Sequence, residues 1–341
     1  MSIEDITIII TSFKSNNKIN SCLDSINRKV KVIVVENSGS QKFKESIEKK
    51  YQNVECIISK ENLGYAKGNN LGLRKANTRY ALVLNPDTIL QTDALENFLT
   101  TASKYKDFSL IGPYSNEKNE INESEDLIEV ENLKGFAIFF NMEKFKNNEF
   151  FDENYFLYFE EIDLCRKVYS SKGKIYLDPK IKIFHEGGKS TDENYSFEIE
   201  KNRNWHWMWS TFYFHKKHKG FIVALIIIFP KLLSSLFKTI FFQLIFNKEK
   251  KDIYLNRLSG ITNSILGKKF DEIHDLIAVR IIVNSVQDCY SSLGVLHELW
   301  RPIPGEFDDY IANPKESMYK SIHSTVMCLD SYPVEIQIRT H

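Results

Sequence analysis

The sequence predicts an α/β domain on a largely parallel sheet, then an apolar helical extension, then a smaller segment of different character. Three observations point there. Short β-branched runs alternate with helix-compatible spacing through the first half, an apolar stretch fills residues 221–246, and the composition changes abruptly after Leu266-Gly267-Lys268-Lys269.

The runs Ile6 to Thr11, Lys31 to Val35, Val54 to Ile58, Tyr80 to Leu84 and Phe108 to Ile111 predict strands. Between them, Ile19 to Ile26, Phe43 to Lys50, Ala66 to Ala76 and Ala94 to Tyr105 carry helical spacing, one of them closed by Asn77 and Thr78. The acidic stretch from Asn116 to Glu131 predicts a surface loop, and Gly135 to Phe140 and Lys174 to Leu177 predict further strands.

With 341 residues, 43% of them hydrophobic, the chain is long enough for two domains or one large one. Forty-five basic residues balance forty-five acidic ones, so no global field recruits nucleic acid or anionic membrane and any anion site must be local. Five cysteines, widely spaced and without a CxxC pair, argue against a disulfide framework and against a zinc site. Glu4, Asp5 and Lys14 surround the first apolar run, which excludes a signal peptide there, so a reducing cytoplasm is the expected setting.

The apolar stretch from Phe221 to Phe246 has nearly the length that crosses a bilayer, about 20 residues. Pro230, Lys231 and Lys238 interrupt it, and a charge near the centre of a spanning helix is costly. A membrane-surface helical pair is therefore expected, with Lys216, Lys217, Lys219, Lys248, Lys250 and Lys251 meeting anionic lipid. A helical hairpin packed on its own domain or on a second subunit is the alternative.

The chemistry concentrates at predicted strand ends. Leu84-Asn85-Pro86-Asp87 sets a carboxylate at the carboxyl edge of a parallel sheet, where ligands of α/β folds bind. Such a carboxylate can hold Mg²⁺ or Mn²⁺ against a diphosphate, although Asn-Pro-Asp is also ordinary turn chemistry. Upstream strands end in Thr11-Ser12-Phe13 and Glu36-Asn37-Ser38, and Val54 to Ile58 leads to Asn62-Leu63-Gly64-Tyr65-Ala66-Lys67-Gly68-Asn69-Asn70, a polar and glycine-bearing rim suited to a nucleotide. Downstream, Phe156-Leu157-Tyr158-Phe159-Glu160-Glu161-Ile162-Asp163 places carboxylates at a helix start, where one of them could deprotonate a sugar hydroxyl. Gly187-Gly188-Lys189-Ser190 does not make a P-loop, because Ile183 stands where the first glycine is required.

Over about Ile3 to Lys268 these ordered motifs resemble the family 2 glycosyltransferases of the GT-A fold, in particular the rhamnosyltransferase-like branch. The resemblance implies a Rossmann-like mixed sheet. It implies that Thr11, Glu36, Asn62, Lys67 and Asn85 line the nucleotide-sugar site, that Asp87 and His185 serve the metal and diphosphate, and that Gly135 sits beside the acceptor. It gives Glu161 the role of general base. The family usually has Glu-Asp where this chain has Glu160-Glu161, so Asp163 is a rival. The activity implied is inverting transfer from a nucleoside diphosphate sugar to a glycan or lipid-linked acceptor, with cell-surface polysaccharide as the family's usual product. The cysteine usage and the lysine-flanked apolar stretch lead to the expectation of a cytoplasmic protein, peripheral on the inner membrane surface.

After Lys269 the run Phe270 to Val283 reads as an apolar strand entered through acidic residues including Asp275. Glu306-Phe307-Asp308-Asp309, Lys315, Tyr319, His323 and the period-two strand Val334 to Arg339 follow, and Glu335, Gln337 and Arg339 share one face of that strand. A nucleotide site and a salt-bridged sheet face fit this pattern equally. Over about Phe270 to Thr340 the segment resembles part of the RelA/SpoT synthetase, which transfers pyrophosphate from ATP to GDP or GTP. That implies an α+β nucleotidyltransferase-like domain in which Asp275 binds Mg²⁺, Tyr319 stacks on guanine, Lys315 and His323 contact phosphates, and Glu335 activates the hydroxyl. The basic segment that grips ATP in that family is replaced by Gly260 to Leu266, and the chain stops just after the catalytic strand. The expected organisation is a glycosyltransferase domain over 1–215, a helical extension over 216–269, and a truncated synthetase segment over 270–341 without pyrophosphotransferase activity of its own, guanine-nucleotide metabolism or sensing being the alternative function.

Overall fold

Runs of β-branched residues without polar alternation suit strands covered on both faces. A computed structural model describes residues 1–15, 18–114, 126–145, 147, 149–185, 196–269, 278–313, 320–328 and 332–340. Two compact units divide at Leu266 and Gly267.

The first unit contains the strands Ile6–Ser12 (β1), Lys31–Glu36 (β2), Val54–Ile58 (β3), Tyr80–Leu84 (β4), Thr88–Leu90 (β5), Phe108–Pro113 (β6), Ile128–Glu129 (β7), Ala137–Asn141 (β8), Lys174–Asp178 (β9) and Ile183–His185 (β10). Its main sheet has the order β3-β2-β1-β4-β8-β6-β9-β7. The first four strands are parallel, β8 is antiparallel to both its neighbours, and β5 pairs with β10 as a separate antiparallel ribbon. After β3 the chain returns to lay β4 on the other side of β1. This reversal opens a crevice at the carboxyl ends of β1 and β4, the place where open α/β sheets bind ligands.

The helices Lys18–Asp24 (α1), Gln41–Lys50 (α2), Gly64–Lys75 (α3), Ala94–Lys104 (α4) and Glu160–Ser170 (α5) accompany the sheet. Period-two alternation along β1 sends Ile6, Ile8 and Ile10 into a cluster with Phe98 and Phe139, and Ile9 into a second with Val83, Phe140 and Leu164. The sequence predicts loop as far as Glu131, yet Ile128–Glu129 pairs with β9 at the sheet edge. Two residues carry no periodic signal, and only the neighbouring strand makes them a strand.

Three further helices complete this unit: Ser196–Lys219 (α6), Phe221–Leu244 (α7) and Lys248–Leu266 (α8). The sequence predicts a helical pair broken near Pro230, whereas α7 runs through Pro230 as one helix. Proline removes one donor, but packing along the rest of the helix keeps it continuous. Met208, Phe212, Ala224, Ile228 and Ile261 form the core of the three-helix layer. Trp205 Nε1 donates to Ser259 Oγ at 3.1 Å and Ser264 Oγ donates to the Trp209 carbonyl at 2.9 Å. A Cβ at Gly260 would lie 2.4 Å from the Trp205 carbonyl oxygen, so this close approach of α8 to α6 requires glycine.

In the second unit, Ala278–Val283 (β11), Val286–Leu299 (α9), Arg301–Asp309 (β12), Ile322–Cys328 (β13) and Tyr332–Thr340 (β14) form a sheet of order β11-β14-β13-β12 with one helix. Val334, Ile336 and Ile338 are buried, which turns Glu335, Gln337 and Arg339 to the opposite face.

Candidate active site

The turn after β4 is pinned from both sides. Asn85 N donates to the Phe136 carbonyl at 2.9 Å, and Thr88 Oγ1 donates to the Asn85 carbonyl at 2.7 Å. Cys22 packs against this turn, its Sγ 3.6 Å from Thr88 Oγ1, and burial pushes its thiol up to about 12. Held this way, Asp87 is only 3% exposed, and neither of its carboxylate oxygens has a hydrogen-bond partner among the described residues. The β5–β10 register sets His185 opposite Thr88, with Nε2 3.5 Å from Asp87 Oδ1 and the ring stacked on Phe136 at 4.7 Å.

A buried carboxylate without donors is costly unless it meets a cation. An oxygen and imidazole donor set suits Mn²⁺ or Mg²⁺. Among the described residues there is no cluster of three or more His, Cys, Asp or Glu side chains.

The remaining rim residues have defined places. Thr11 Oγ1 donates to Asn69 Oδ1 at 2.9 Å, and Asn37 Nδ2 donates to the Gly64 carbonyl at 3.0 Å. The Glu36 carboxylate accepts from Ser38 N at 3.0 Å, Ser40 N at 2.9 Å and the Ser38 hydroxyl, so it shapes the loop after β2. Asn62 Oδ1 accepts from Gly64 N at 3.1 Å, and Lys67 is half-buried on α3. The Gly135 carbonyl accepts from the Tyr65 hydroxyl, and a Cβ on Gly135 would lie 3.5 Å from Glu161 Cγ. Tyr65, Asn37 and Asn69 are not singled out by sequence; the available signal was their position in the polar runs after β2 and β3.

Glu160 and Glu161 open α5 behind two non-glycine residues in the left-handed region, Tyr158 (φ 72°) and Phe159 (φ 70°). Each such residue costs roughly 1–2 kcal/mol and persists only where its surroundings hold it. Here α6 does so: Ser210 Oγ donates to the Leu157 carbonyl at 2.9 Å, His206 stacks on Phe156 at 4.3 Å, and Trp207 and Phe214 pack on Phe159. Burial pushes His206 down to about 3, so it acts as a neutral plate.

Glu160 is buried and Glu161 half-buried, and the Oε2 atom of each has no hydrogen-bond partner among the described residues. Burial and the neighbouring Glu161 charge push Glu160 well above the usual carboxylate range, whereas burial alone raises Glu161. Two neighbouring carboxyls in a poorly solvated site disfavour a second negative charge, so the pair resists full ionisation. Asp163 lies in a different setting. It accepts from Lys217 Nζ at 2.8 Å, His218 Nε2 at 2.7 Å and the Tyr155 hydroxyl at 3.4 Å, partners that tie α5 to α6.

In the second unit, His323 Nδ1 lies 2.5 Å from Glu335 Oε1, Gln337 Nε2 donates to Glu335 Oε2 at 3.4 Å, and the Tyr310 ring meets His323 edge-on. Asp275, Lys315 and Tyr319 lie outside the described residues, as does Gly187-Gly188-Lys189-Ser190.

The fold of the first unit is similar to the GT-A fold. Residues 7–165 match the family model of glycosyl transferase family 2, and residues 245–341 match the region found in RelA / SpoT proteins, so two family models match different parts of one chain, each over less than half of it. The mannosyltransferase of Pyrobaculum calidifontis, solved with GDP-Man and Mn²⁺, superposes with a TM-score of 0.51 at 12% identity, covering 78% of this chain and 88% of that one. The GTP pyrophosphokinase of Streptomyces antibioticus is 51% identical over 76 residues, 22% of this chain and 9% of that protein. The bifunctional (p)ppGpp synthase/hydrolase RelA of Mycobacterium tuberculosis is 49% identical over 76 residues, again 22% of this chain and 10% of the relative. The chain thus spans about a tenth of the length of the curated relatives it matches. The family match to RelA/SpoT begins before α8, a helix that packs within the first unit.

Proposed function

We propose that the first unit is a metal-dependent, inverting glycosyltransferase that moves a sugar from a nucleoside diphosphate donor to an acceptor hydroxyl. The observation that carries this reading is the buried Asp87 in the β1–β4 crevice, whose oxygens have no hydrogen-bond partner among the described residues and which faces His185 at 3.5 Å, in the same unit as a glutamate pair whose carboxyls are both raised. A sugar nucleotide and Mn²⁺ in the P. calidifontis enzyme of the same fold support the same class of donor and ion. Asp87 and His185 would hold the cation, which neutralises charge on the departing diphosphate. Thr11, Asn37 and Asn69 line the donor side of the crevice. Glu161 takes the proton of the acceptor hydroxyl as its oxygen bonds to the anomeric carbon and the bond to the diphosphate breaks, inverting that carbon. Glu160 lies beside it with its carboxyl raised by burial and by the neighbouring glutamate, and Asp163 positions α5 through Lys217 and His218. Nucleoside diphosphate release from a panel of sugar nucleotides, with Mg²⁺ or Mn²⁺ and with chelator, tests the reading; release that chelator leaves unchanged would remove the metal from it.

We also infer that α7 lies on an anionic membrane. It is a helix of 24 residues with mean hydropathy 2.0, long and apolar enough to cross a bilayer. One face, with Ala224 and Ile228, is buried in the three-helix core, and α8 beside it carries Asp252, Asn256 and Arg257. A span would draw those polar groups into hydrocarbon, so an in-plane helix is favoured. Ile222, Ile226, Phe229, Leu233, Phe237 and Ile240 form an exposed apolar stripe flanked by Lys219, Lys248 and Lys251. Co-sedimentation with phosphatidylglycerol vesicles is expected, and the pair Ile226→Glu and Phe237→Glu should reduce it at least about tenfold, each replacing buried apolar area with charge. Unchanged sedimentation would exclude the stripe.

For the second unit we infer no pyrophosphate transfer on its own. Val279, Ile282, Val295, Leu299 and Phe307 are exposed apolar side chains around a small core, and Glu335 is held by His323 and Gln337. Labelled ATP with GTP should yield no guanosine polyphosphate. Product that Glu335→Gln abolishes would overturn this, and guanine nucleotide binding without turnover would identify a sensing module.

A further inference from the structure

Glu161 is carried by α5, whereas Thr11, Asn37 and Asn69 are carried by β1, α3 and the loop after β2. The first turn of α3 joins these two sides. Leu63, at the N-cap of α3, offers no side-chain hydrogen bond, and one of the helix's unused N–H groups finds a partner elsewhere: Tyr65 N donates to the Phe156 carbonyl at 2.7 Å. Gly64 has φ 71°, and a Cβ there would lie 2.4 Å from that same carbonyl oxygen, so the close approach requires glycine. The Tyr65 hydroxyl donates to the Gly135 carbonyl. One residue therefore holds two distant segments, through its backbone and its side chain.

Both segments lead directly to the reacting groups. Phe156 precedes the left-handed residues Tyr158 and Phe159, which deliver Glu160 and Glu161 into the first turn of α5. A Cβ at Gly135 would lie 3.5 Å from Glu161 Cγ and 3.6 Å from its Cδ, so the Gly135 backbone abuts the arm of that carboxylate. The next residue, Phe136, accepts from Asn85 N at 2.9 Å and stacks on His185 at 4.7 Å, which extends the same fixation to the Asp87 turn. One helical turn beyond Tyr65, Asn69 accepts from Thr11 Oγ1 at 2.9 Å. The contacts of α6 with Leu157, Phe156 and Phe159 hold the left-handed turn from another element. They keep α5 folded on α6, whereas Tyr65 sets it in register with the donor rim.

We propose that Tyr65 is a positioning residue for transfer: it clasps the Gly135 and Phe156 segments to α3 and so fixes Glu161 against the donor rim and the Asp87 turn. This rests on the glycosyl-transfer reading above and adds the residue through which the base is aligned. A misplacement of about 1 Å can cost on the order of 10²-fold in rate, so loss of the clasp is read in kcat and not in donor binding.

Tyr65→Phe removes the hydroxyl and keeps the backbone bond and the ring, which meets Phe151 edge-on at 5.9 Å. On the full chain, with a sugar nucleotide that the parent turns over, kcat is expected to fall at least about tenfold while the donor KM stays within about twofold. The melting temperature should not change. Hydrogen–deuterium exchange of the substrate-free chain supplies a readout that needs no turnover: peptides covering 133–137 and 156–161 should exchange at least about threefold faster in Tyr65→Phe, and those of β1 to β4 at the parent rate. Unchanged kcat, a loss confined to KM, a kcat loss that comes with a lowered melting temperature, or unchanged exchange in both peptides overturns the assignment. A parent chain that turns over no sugar nucleotide would count against the glycosyl-transfer reading, and the exchange measurement would still decide the clasp.

Discussion

Asp87→Asn is expected to lower nucleoside diphosphate release on the order of 10² to 10³-fold, the usual cost of removing a preorganised electrostatic partner of the leaving group. The same substitution should melt no lower than the parent chain in the absence of metal. Asp87 is buried, neither oxygen has a hydrogen-bond partner among the described residues and His185 Nε2 lies 3.5 Å away, so a neutral amide replaces the carboxylate at less desolvation cost. Opposite movement of activity and stability distinguishes a cation site from a structural turn. Unchanged turnover in Asp87→Asn would remove the metal assignment, and a large fall in melting temperature would make Asp87 a structural residue.

Glu161→Gln is expected to lower kcat roughly 10² to 10⁴-fold, the range of a positioned general base. In the parent, kcat should rise with pH along an acid limb displaced above the ordinary glutamate value of about 4.3, because burial raises Glu161. Glu160→Gln should leave that limb displaced, since burial and not Glu160 is the cause. Stability carries the opposite slope. Both carboxyls have folded values above their unfolded ones, so the folded state is favoured most below about pH 4 and loses that contribution as pH rises through the folded values. The double substitution Glu160→Gln with Glu161→Gln should flatten this slope in chemical denaturation measured from pH 4 to pH 8. A kcat limb at the ordinary glutamate value would contradict the buried base.

Much of this was legible in residue order because two local patterns dominate it. The short β-branched runs at Ile6, Lys31, Val54 and Tyr80 and the helical spacings between them specify α/β alternation locally, and Asn85-Pro86-Asp87 and Glu160-Glu161 announce a strand end and a helix start by turn chemistry and charge. Other features depend on residues far apart in the chain. His185 reaches Asp87 only through the β5–β10 register. Asp163 looks equivalent to Glu161 in sequence, yet Lys217 and His218, more than fifty positions later, engage its carboxylate. The continuity of α7 through Pro230 likewise comes from its packing between neighbouring helices.

The sequence by itself determined the fold class of the first unit, the strand-end positions of the polar rim and the change of character after Lys269, because hydrophobic periodicity and turn chemistry are short-range properties. Only the tertiary structure decided which carboxylates stand without donors, that burial raises both glutamates and that α6 fixes the left-handed turn ahead of them. Burial and pairing are set by side chains brought together from distant elements, and no local spacing encodes which of them will meet.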